Sequence, residues 1–166
     1  MVLAPKDFRD EEYKEPREVF EDAGFDIALA SSRVGDAIGV LGTRVSVNQT
    51  ISSINIHNYD ALVIVGGHGM IEMWHNDDLI MVVQDAVREN KIIGAICSAP
   101  VVLANAGVLQ GKKATVFAES NSRLSEKGAQ YTGEPVTRDG NIITADGPES
   151  AHDFGIKIEE ALNESV

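Results

Sequence analysis

The run KIIGAICSAP, residues 91–100, is typical of a strand that turns sharply into a helix at Cys97. Its first part is continuously apolar, as in a parallel strand buried on both faces. Pro100 is tolerated in the first turn of the helix that follows. Ala95 and Ala99 flank Cys97 at two residues' distance, and such small side chains let strand and helix approach closely while the cysteine projects outward. The run therefore predicts a cysteine nucleophile elbow.

A second apolar run, ALVIVGG at residues 61–67, has the same character. Between the two runs, residues 77–90 carry apolar side chains at helical spacing behind an acidic start, as in a helix that packs on a sheet. Strand, helix and strand in this order form a parallel unit. An open sheet of this kind binds ligands outside the carboxyl ends of its central strands, and both Gly66 and Cys97 lie at such ends.

The rest of the chain continues the alternation of strands and helices. Helices are predicted at residues 10–22, closed by Gly24, at 98–109 and at about 149–162, with a polar helical turn near 120–129. Strands are predicted at residues 1–5, 25–31 and 113–118, in a hairpin around Asp139-Gly140, and in a small β excursion within residues 35–54. No repeat or linker interrupts the pattern, so we expect one α/β domain over residues 1–166.

Composition narrows the classes of partner. The 166 residues are 43% hydrophobic, enough for one substantial core, and carry a net charge of −12, which would be repelled by nucleic acid and by an anionic membrane. No apolar run approaches the roughly 18 residues of a spanning helix, and the acidic start is unlike a signal peptide. One cysteine cannot form an intramolecular disulfide, and no Cys/His cluster has zinc spacing. We expect a cytoplasmic protein without metal or cofactor.

Cys97 is the first candidate catalytic residue. A cysteine at a helix N-terminus is stabilised as a thiolate by unpaired backbone N–H groups, so we expect its pKa to lie below the free value of about 8.5. The alternative is that Cys97 is simply a small buried apolar side chain, the commoner role of a lone cysteine. The elbow pattern favours the reactive thiol.

Two further segments accompany the cysteine at this edge of the sheet. In the loop Gly66-Gly67-His68-Gly69, glycine lets backbone N–H groups converge as an oxyanion site requires, although a plain tight turn is the alternative. Glu12 lies in the acidic start of the first helix, where it is either a solvated carboxylate or a partner that shares a proton with the thiol.

Several of these segments together resemble the ThiJ/PfpI superfamily: Glu12 with Pro16, ALVIVGGHG, AICSAP running into VVLANAGVLQGKKAT, and NIITADGPESAHDFGIKIEEAL near the end. The resemblance implies a flavodoxin-like three-layer sandwich with a mostly parallel sheet, and a homodimer or larger homo-oligomer. It also implies that Cys97 is the nucleophile, Glu12 its carboxylate neighbour, and the backbone at Gly67 and Ser98 the oxyanion donors.

The sequence departs from the peptidase-like branch of that superfamily at two positions. That branch has a histidine directly after the cysteine, where this chain has Ser98, and some relatives supply a histidine or tyrosine where this chain has Phe117. A missing base removes a factor of about 10²–10⁴ from peptide hydrolysis. His68 and His152 are candidates to replace it.

Two classes of function follow. In the first, Cys97 attacks a small carbonyl or acyl carbon, as in glyoxalase-like, deglycase-like or hydrolase chemistry, with weak or absent peptidase activity. In the second, Cys97 oxidises reversibly and the protein is an oxidative-stress sensor or chaperone. A glutaminase is excluded, because such a domain would have H-x-E where this chain has His152-Asp153-Phe154.

Overall fold

The two apolar runs form the centre of the main sheet in the computed structural model, which describes residues 1–165. Eleven strands are present in this part of the chain: β1 (Lys6–Phe8), β2 (Ala30–Ser31), β3 (Gly35–Gly39), β4 (Arg44–Val47), β5 (Gln49–Thr50), β6 (Ala61–Ile64), β7 (Ile92–Ile96), β8 (Lys113–Ala114), β9 (Gln130–Tyr131), β10 (Val136–Asp139) and β11 (Ile142–Ala145). The helices are α1 (Asp10–Asp22), α2 (His68–Ile71), α3 (Asp77–Arg88), α4 (Pro100–Asn105), α5 (Asn121–Ser125) and α6 (Ala151–Glu164).

The main sheet has the order β10-β11-β7-β6, and only the β10–β11 hairpin in it is antiparallel. Val2 extends it through parallel bridges to Ile64 and Ala30, and β2 in turn pairs with β5. All five residues of β7 are buried, as expected for a strand covered on both faces. Because the central strands are parallel, their carboxyl ends share one edge.

Helices cover both faces of the main sheet. On one face α1 and α6 pack through Val19, Phe20, Phe154 and Ile158, and on the other α3 and α4 pack through side chains that include Leu79 and Leu103. These layers confirm the predicted α/β three-layer, flavodoxin-like fold. None of the helices in the described part of the chain combines the length and apolar character that a bilayer crossing requires.

The predicted β excursion is the hairpin of β3 and β4, with β1 parallel to β3 in a separate three-stranded sheet. Asp10, at the start of α1, fixes the tip of this hairpin, because its carboxylate accepts hydrogen bonds from the backbone N–H groups of Leu41 and Thr43 at 2.8 and 2.9 Å. The excursion is thereby attached to the same helix that carries Glu12.

Several predicted elements are shorter in the structure. The strand expected at residues 1–5 is reduced to the bridge at Val2, the strand at 25–31 is reduced to β2, and the helix at 98–109 to α4. The strand expected at 113–118 ends at Ala114, because the N–H of Thr115 donates to the side-chain oxygen of Thr144 instead of to a backbone ladder. The expected C-terminal helix is not shorter but shifted by two residues, to Ala151–Glu164, because a 3₁₀ turn over Pro148–Ser150 precedes it.

Candidate active site

Cys97 has the backbone of a nucleophile elbow. Its φ of 62° lies in the left-handed region, which residues other than glycine rarely adopt and which is often retained at functional sites. Its N–H donates to the carbonyl of Ala145 at 2.8 Å, and its carbonyl accepts from the N–H of Phe117 at 2.9 Å. Hydrogen bonds on both sides therefore hold the strained residue in place, and the side chain stays partly exposed.

Small residues let the elbow meet the glycine loop. Ala95 and Ala99 are fully buried, as the elbow pattern predicted. Gly66 lies directly against the site: a Cβ there would overlap the Glu12 carboxyl group and lie 2.8 Å from the Cβ of Cys97. Only glycine fits between the carboxyl group and the cysteine.

The glycine loop supplies one of two backbone donors beside the sulfur. Gly67 has a φ of 109°, and the N–H of Arg9 donates to the carbonyl of Gly66 at 3.1 Å, which fixes the loop to the start of α1. The N–H groups of Gly67 and Ser98 both approach the thiol of Cys97 and favour its ionised form. The structure thus brings together the predicted donors and the predicted nucleophile.

Glu12 is completely buried, and neither of its carboxyl oxygens has a hydrogen-bond partner of ordinary geometry in the described part of the chain. Burial raises the pKa of Glu12 to about 8. The Cys97 thiol and the Gly66 N–H lie close enough to oppose that rise, but burial outweighs both. Glu12 therefore keeps its proton over most of the neutral pH range.

The expectation of a lowered pKa for Cys97 is wrong for this geometry. Burial, followed by the charge of an ionised Glu12, raises the pKa of Cys97 to about 12. The Gly67 and Ser98 N–H groups act in the expected direction and are outweighed. Helix α4 contributes little because it has six residues and begins at Pro100, which has no N–H. The repulsion from Glu12 vanishes whenever Glu12 is protonated, so the two groups titrate as one pair.

The candidate histidines form no bond with this pair in the described part of the chain. His68 begins α2 and His152 lies in the first turn of α6, and both side chains are exposed. Within residues 1–165, neither histidine makes a hydrogen bond or ion pair with Cys97 or Glu12, and no histidine is among the main groups that shift the pKa of Cys97. A catalytic role for either histidine has no geometric support.

Two side chains that support the site, those of Ser98 and Trp74, were not predicted from the sequence. The hydroxyl of Ser98 donates to the carbonyl of Gly67 at 2.8 Å, and Nε1 of Trp74 donates to the carbonyl of Ser98 at 2.8 Å. A tryptophan in an apolar stretch needs a partner for its indole N–H when it is buried, and this need is the signal that could have pointed to Trp74. No comparable signal identified the Ser98 hydroxyl.

No group of three or more histidine, cysteine, aspartate or glutamate side chains within residues 1–165 is arranged to hold a metal ion. The chemistry available at the site itself is that of a thiol, a carboxyl group and two backbone donors. Phe117 is attached to the elbow, because its backbone N–H donates to the carbonyl of Cys97. The residue is 41% exposed and therefore presents an apolar side chain at the surface.

Comparison with known proteins agrees with this geometry. The chain is 45% identical over 168 residues to an uncharacterized protein of Methanocaldococcus jannaschii, covering 99% of this chain and 82% of that one. It is 28% identical over 148 residues to deglycase PfpI of Pyrococcus furiosus, covering 89% of each.

The crystal structure of a ThiJ/PfpI domain protein from Brachyspira murdochii superposes with a TM-score of 0.96 at 32% identity, covering 98% of this chain and 94% of that one. The family model described as the DJ-1/PfpI family matches residues 1–161. This chain therefore belongs to the DJ-1/PfpI family.

Proposed function

We propose that this protein is a cysteine-dependent enzyme that acts on small carbonyl electrophiles, ketoaldehydes or their adducts, and has weak or absent peptidase activity. Hydrolysis of small acyl or amide groups belongs to the same proposal. The observation that carries it is the pairing of Cys97 with a fully buried Glu12, whose only other polar neighbour of note within residues 1–165 is the backbone N–H of Gly66. A carboxyl group with a pKa near 8 is well matched to moving protons at neutral pH.

The first step follows from the geometry. Ionised Glu12 takes the thiol proton as Sγ of Cys97 forms a bond to the aldehyde carbon, and the carbonyl electron pair moves to oxygen. Backbone N–H groups of Gly67 and Ser98 then stabilise the oxyanion until Glu12 returns the proton to it, which leaves a hemithioacetal. With a ketoaldehyde, moving the aldehyde hydrogen to the neighbouring carbon, and the hydroxyl proton of the hemithioacetal to the neighbouring oxygen, converts the hemithioacetal into the thioester of a 2-hydroxy acid. Water then breaks the C–S bond, which releases the hydroxy acid and restores the Cys97 thiol without an external oxidant.

Peptide hydrolysis needs a catalytic group that carbonyl addition does not need. An amine leaving group must be protonated as the amide bond breaks, and this calls for an acid placed on the leaving-group side. The residue after the cysteine is Ser98, whose hydroxyl is already engaged with Gly67, and His68 and His152 form no bond to the pair. The name deglycase borne by the Pyrococcus furiosus relative supports carbonyl-adduct chemistry.

The test compares two substrate classes. The purified protein and Cys97→Ser are assayed with methylglyoxal, with a methylglyoxal-treated amino acid, and with fluorogenic peptide amides. We expect turnover of a carbonyl substrate that Cys97→Ser abolishes, because a serine hydroxyl is a far weaker acid and nucleophile than a thiol and the Glu12 carboxylate cannot activate it in the same way. Cys97-dependent peptide cleavage without carbonyl turnover would contradict the proposal and direct attention to the histidines.

A second function, peroxide sensing through oxidation of Cys97 to a sulfenic acid and then to a sulfinate, is supported by one feature: a protonated Glu12 beside the sulfur would donate a hydrogen bond to a sulfinate oxygen. Inactivity in every assay, together with a stable gain of oxygen at Cys97 after dilute peroxide, would favour this sensor role. Intact-protein mass spectrometry distinguishes the oxidised forms, and Glu12→Gln should lower the yield of sulfinate.

A further inference from the structure

Two buried hydrogen bonds hold Ser98 from opposite sides. Its hydroxyl donates to the carbonyl of Gly67, across 31 residues of sequence, and its own carbonyl accepts from Nε1 of Trp74, both at 2.8 Å. Ser98 is 5% exposed, so water does not replace these bonds easily. The first bond joins the elbow to the glycine loop, the two segments that carry the backbone donors at the sulfur.

Trp74 is itself held firmly. The side-chain amide of Asn105, in α4, donates to the carbonyl of Trp74 at 2.8 Å. The guanidinium of Arg123, in α5, lies 4.6 Å from the centre of the indole ring, within the range of a cation–π interaction. The carbonyl of Ser98 is therefore anchored to a side chain that packs against two helices.

We propose that Ser98 is a positioning residue, whose hydroxyl keeps the N–H groups of Gly67 and Ser98 at a fixed separation beside the sulfur of Cys97. The role rests on the proposed function, because these two donors would stabilise the oxyanion. Ser98 occupies the position where the peptidase-like pattern has a histidine. Its hydroxyl joins the elbow to the glycine loop, whereas the histidine would exchange protons.

Removing the Ser98 hydroxyl should leave the N–H groups of Gly67 and Ser98 less precisely oriented toward the sulfur of Cys97. An oxyanion donor acts strongly only when it is already in place, and losing one outright costs about 10²–10³ in kcat. Releasing Gly67 from Ser98 leaves both donors present but less constrained, so the effect should be smaller. The same N–H groups favour the Cys97 thiolate, which gives a readout that is independent of turnover.

The experiment compares Ser98→Ala with Ser31→Ala. Ser31 is a matched control, because it is also fully buried and its hydroxyl also donates to a backbone carbonyl, that of Leu3, at 2.6 Å. The rate of iodoacetamide alkylation is followed against pH by intact mass, and Cys97 is the single cysteine. Steady-state kinetics on the carbonyl substrate provide kcat and KM.

For Ser98→Ala we expect the alkylation profile to move to higher pH by about 0.5 unit, roughly threefold in rate at fixed pH, and kcat to fall about tenfold with KM nearly unchanged. Ser31→Ala should lose stability without either change. Trp74→Phe, which removes the bond to the Ser98 carbonyl and keeps an aromatic core residue, should shift the alkylation profile in the same direction.

Identical alkylation profiles for Ser98→Ala and Ser31→Ala, with Trp74→Phe also unshifted, would overturn the positioning role. If the parent protein turns over no carbonyl substrate, the proposed function fails while the alkylation profiles still decide the role of Ser98.

Discussion

The residue on which the site depends is Glu12, an ionisable side chain with no access to water. A buried carboxyl group without hydrogen bonds costs several kcal/mol if it ionises, so it takes up a proton instead and its pKa rises. With a pKa of about 8, Glu12 both gains and loses its proton close to neutral pH, and its carboxylate form is able to accept a proton there. Cys97, which lies beside it, is the group that has a proton to give.

Activity should therefore follow the ionisation of Glu12. We expect kcat/KM to rise about tenfold per pH unit below pH 8 and to level off above it, because only the carboxylate accepts the thiol proton. Glu12→Gln should lower kcat/KM by about 10²–10⁴ and remove this rise. A pH–rate profile of the parent that is flat between pH 6 and 9 would contradict the assignment of Glu12 as the base.

Stability should depend on pH through the same side chain. The pKa of Glu12 is raised from 4.5 to about 8 on folding, so its contribution is fully present below pH 4.5 and is lost as pH rises through 8. In that window the fold loses up to about 1.4 kcal/mol per pH unit. Glu12→Gln should remove this loss. The melting temperature of Glu12→Gln minus that of the parent should therefore increase as pH rises from 5 to 8.

Glu11→Gln is the control for that measurement, since Glu11 is adjacent in α1 but is paired with Arg9, which lowers the pKa of Glu11. Its effect on stability should have the opposite sign: stability that Glu11 contributes is lost as pH falls. A difference in melting temperature between Glu12→Gln and the parent that stays constant with pH would show that Glu12 titrates normally in the folded protein.

At the scale of elements, three chain segments meet at the site, and they approach closely because the residue between them is a glycine. The elbow after β7, the glycine loop after β6 and the start of α1 meet at Gly66, where the Glu12 carboxyl group and Cys97 occupy the space a side chain would need. The bond between Arg9 and the carbonyl of Gly66 keeps the third segment in register with the second.

Gly66→Ala should therefore abolish the proposed activity. Its Cβ would overlap the Glu12 carboxyl group and lie 2.8 Å from the Cβ of Cys97. We expect a loss of activity of 10²-fold or more and a loss of about 1–3 kcal/mol in the free energy of unfolding. Activity assays and urea denaturation measure the two effects.

Gly147→Ala is the matched control for Gly66→Ala. A Cβ at Gly147 has no neighbour within 4 Å, and the φ of 167° is extended backbone that any residue adopts. Its stability should stay within about 0.5 kcal/mol of the parent. Equal activity of the two glycine variants would mean that the Gly66 junction is more adaptable than its contacts indicate.

At the scale of the whole molecule, the position of Glu12 depends on how α1 packs against α6. The two helices are in close contact at Gly155, where a Cβ would lie 2.9 Å from Cα of Pro16 and 3.2 Å from Cγ2 of Val19. Pro16 is one helical turn from Glu12. We therefore expect the packing of α6 against α1 to affect how deeply the carboxyl group of Glu12 is buried.

Gly155→Ala should separate α1 from α6. We expect a loss of about 1–3 kcal/mol in the free energy of unfolding, together with a lower apparent pKa in the pH–rate profile, because a displaced Glu12 gains water. Asn163→Ala, an exposed change on the same helix, should alter neither quantity. A destabilised Gly155→Ala with an unchanged pH–rate profile would show that Glu12 is held independently of α6.

Local patterns in the sequence were enough to predict the fold class and half of the candidate site. Continuous apolar runs predicted β6 and β7 because a strand buried on both faces has no polar side to alternate with. Ala95, Cys97 and Ala99 predicted the elbow because its tight geometry restricts side-chain size within one short segment. The Asp139-Gly140 pair predicted the hairpin of β10 and β11, which the structure confirms.

Only the tertiary structure decided the chemical state of the site. The Glu12 carboxyl group on α1 is enclosed by the glycine loop and by Cys97, which are far away in sequence, so no local pattern showed that it is completely buried and that its pKa rises. The same holds for the bond between Ser98 and Gly67, and for the exposure of His68 and His152. A pKa is set by the solvent and charges within a few ångströms, and in a folded chain those neighbours come mostly from elsewhere in the sequence.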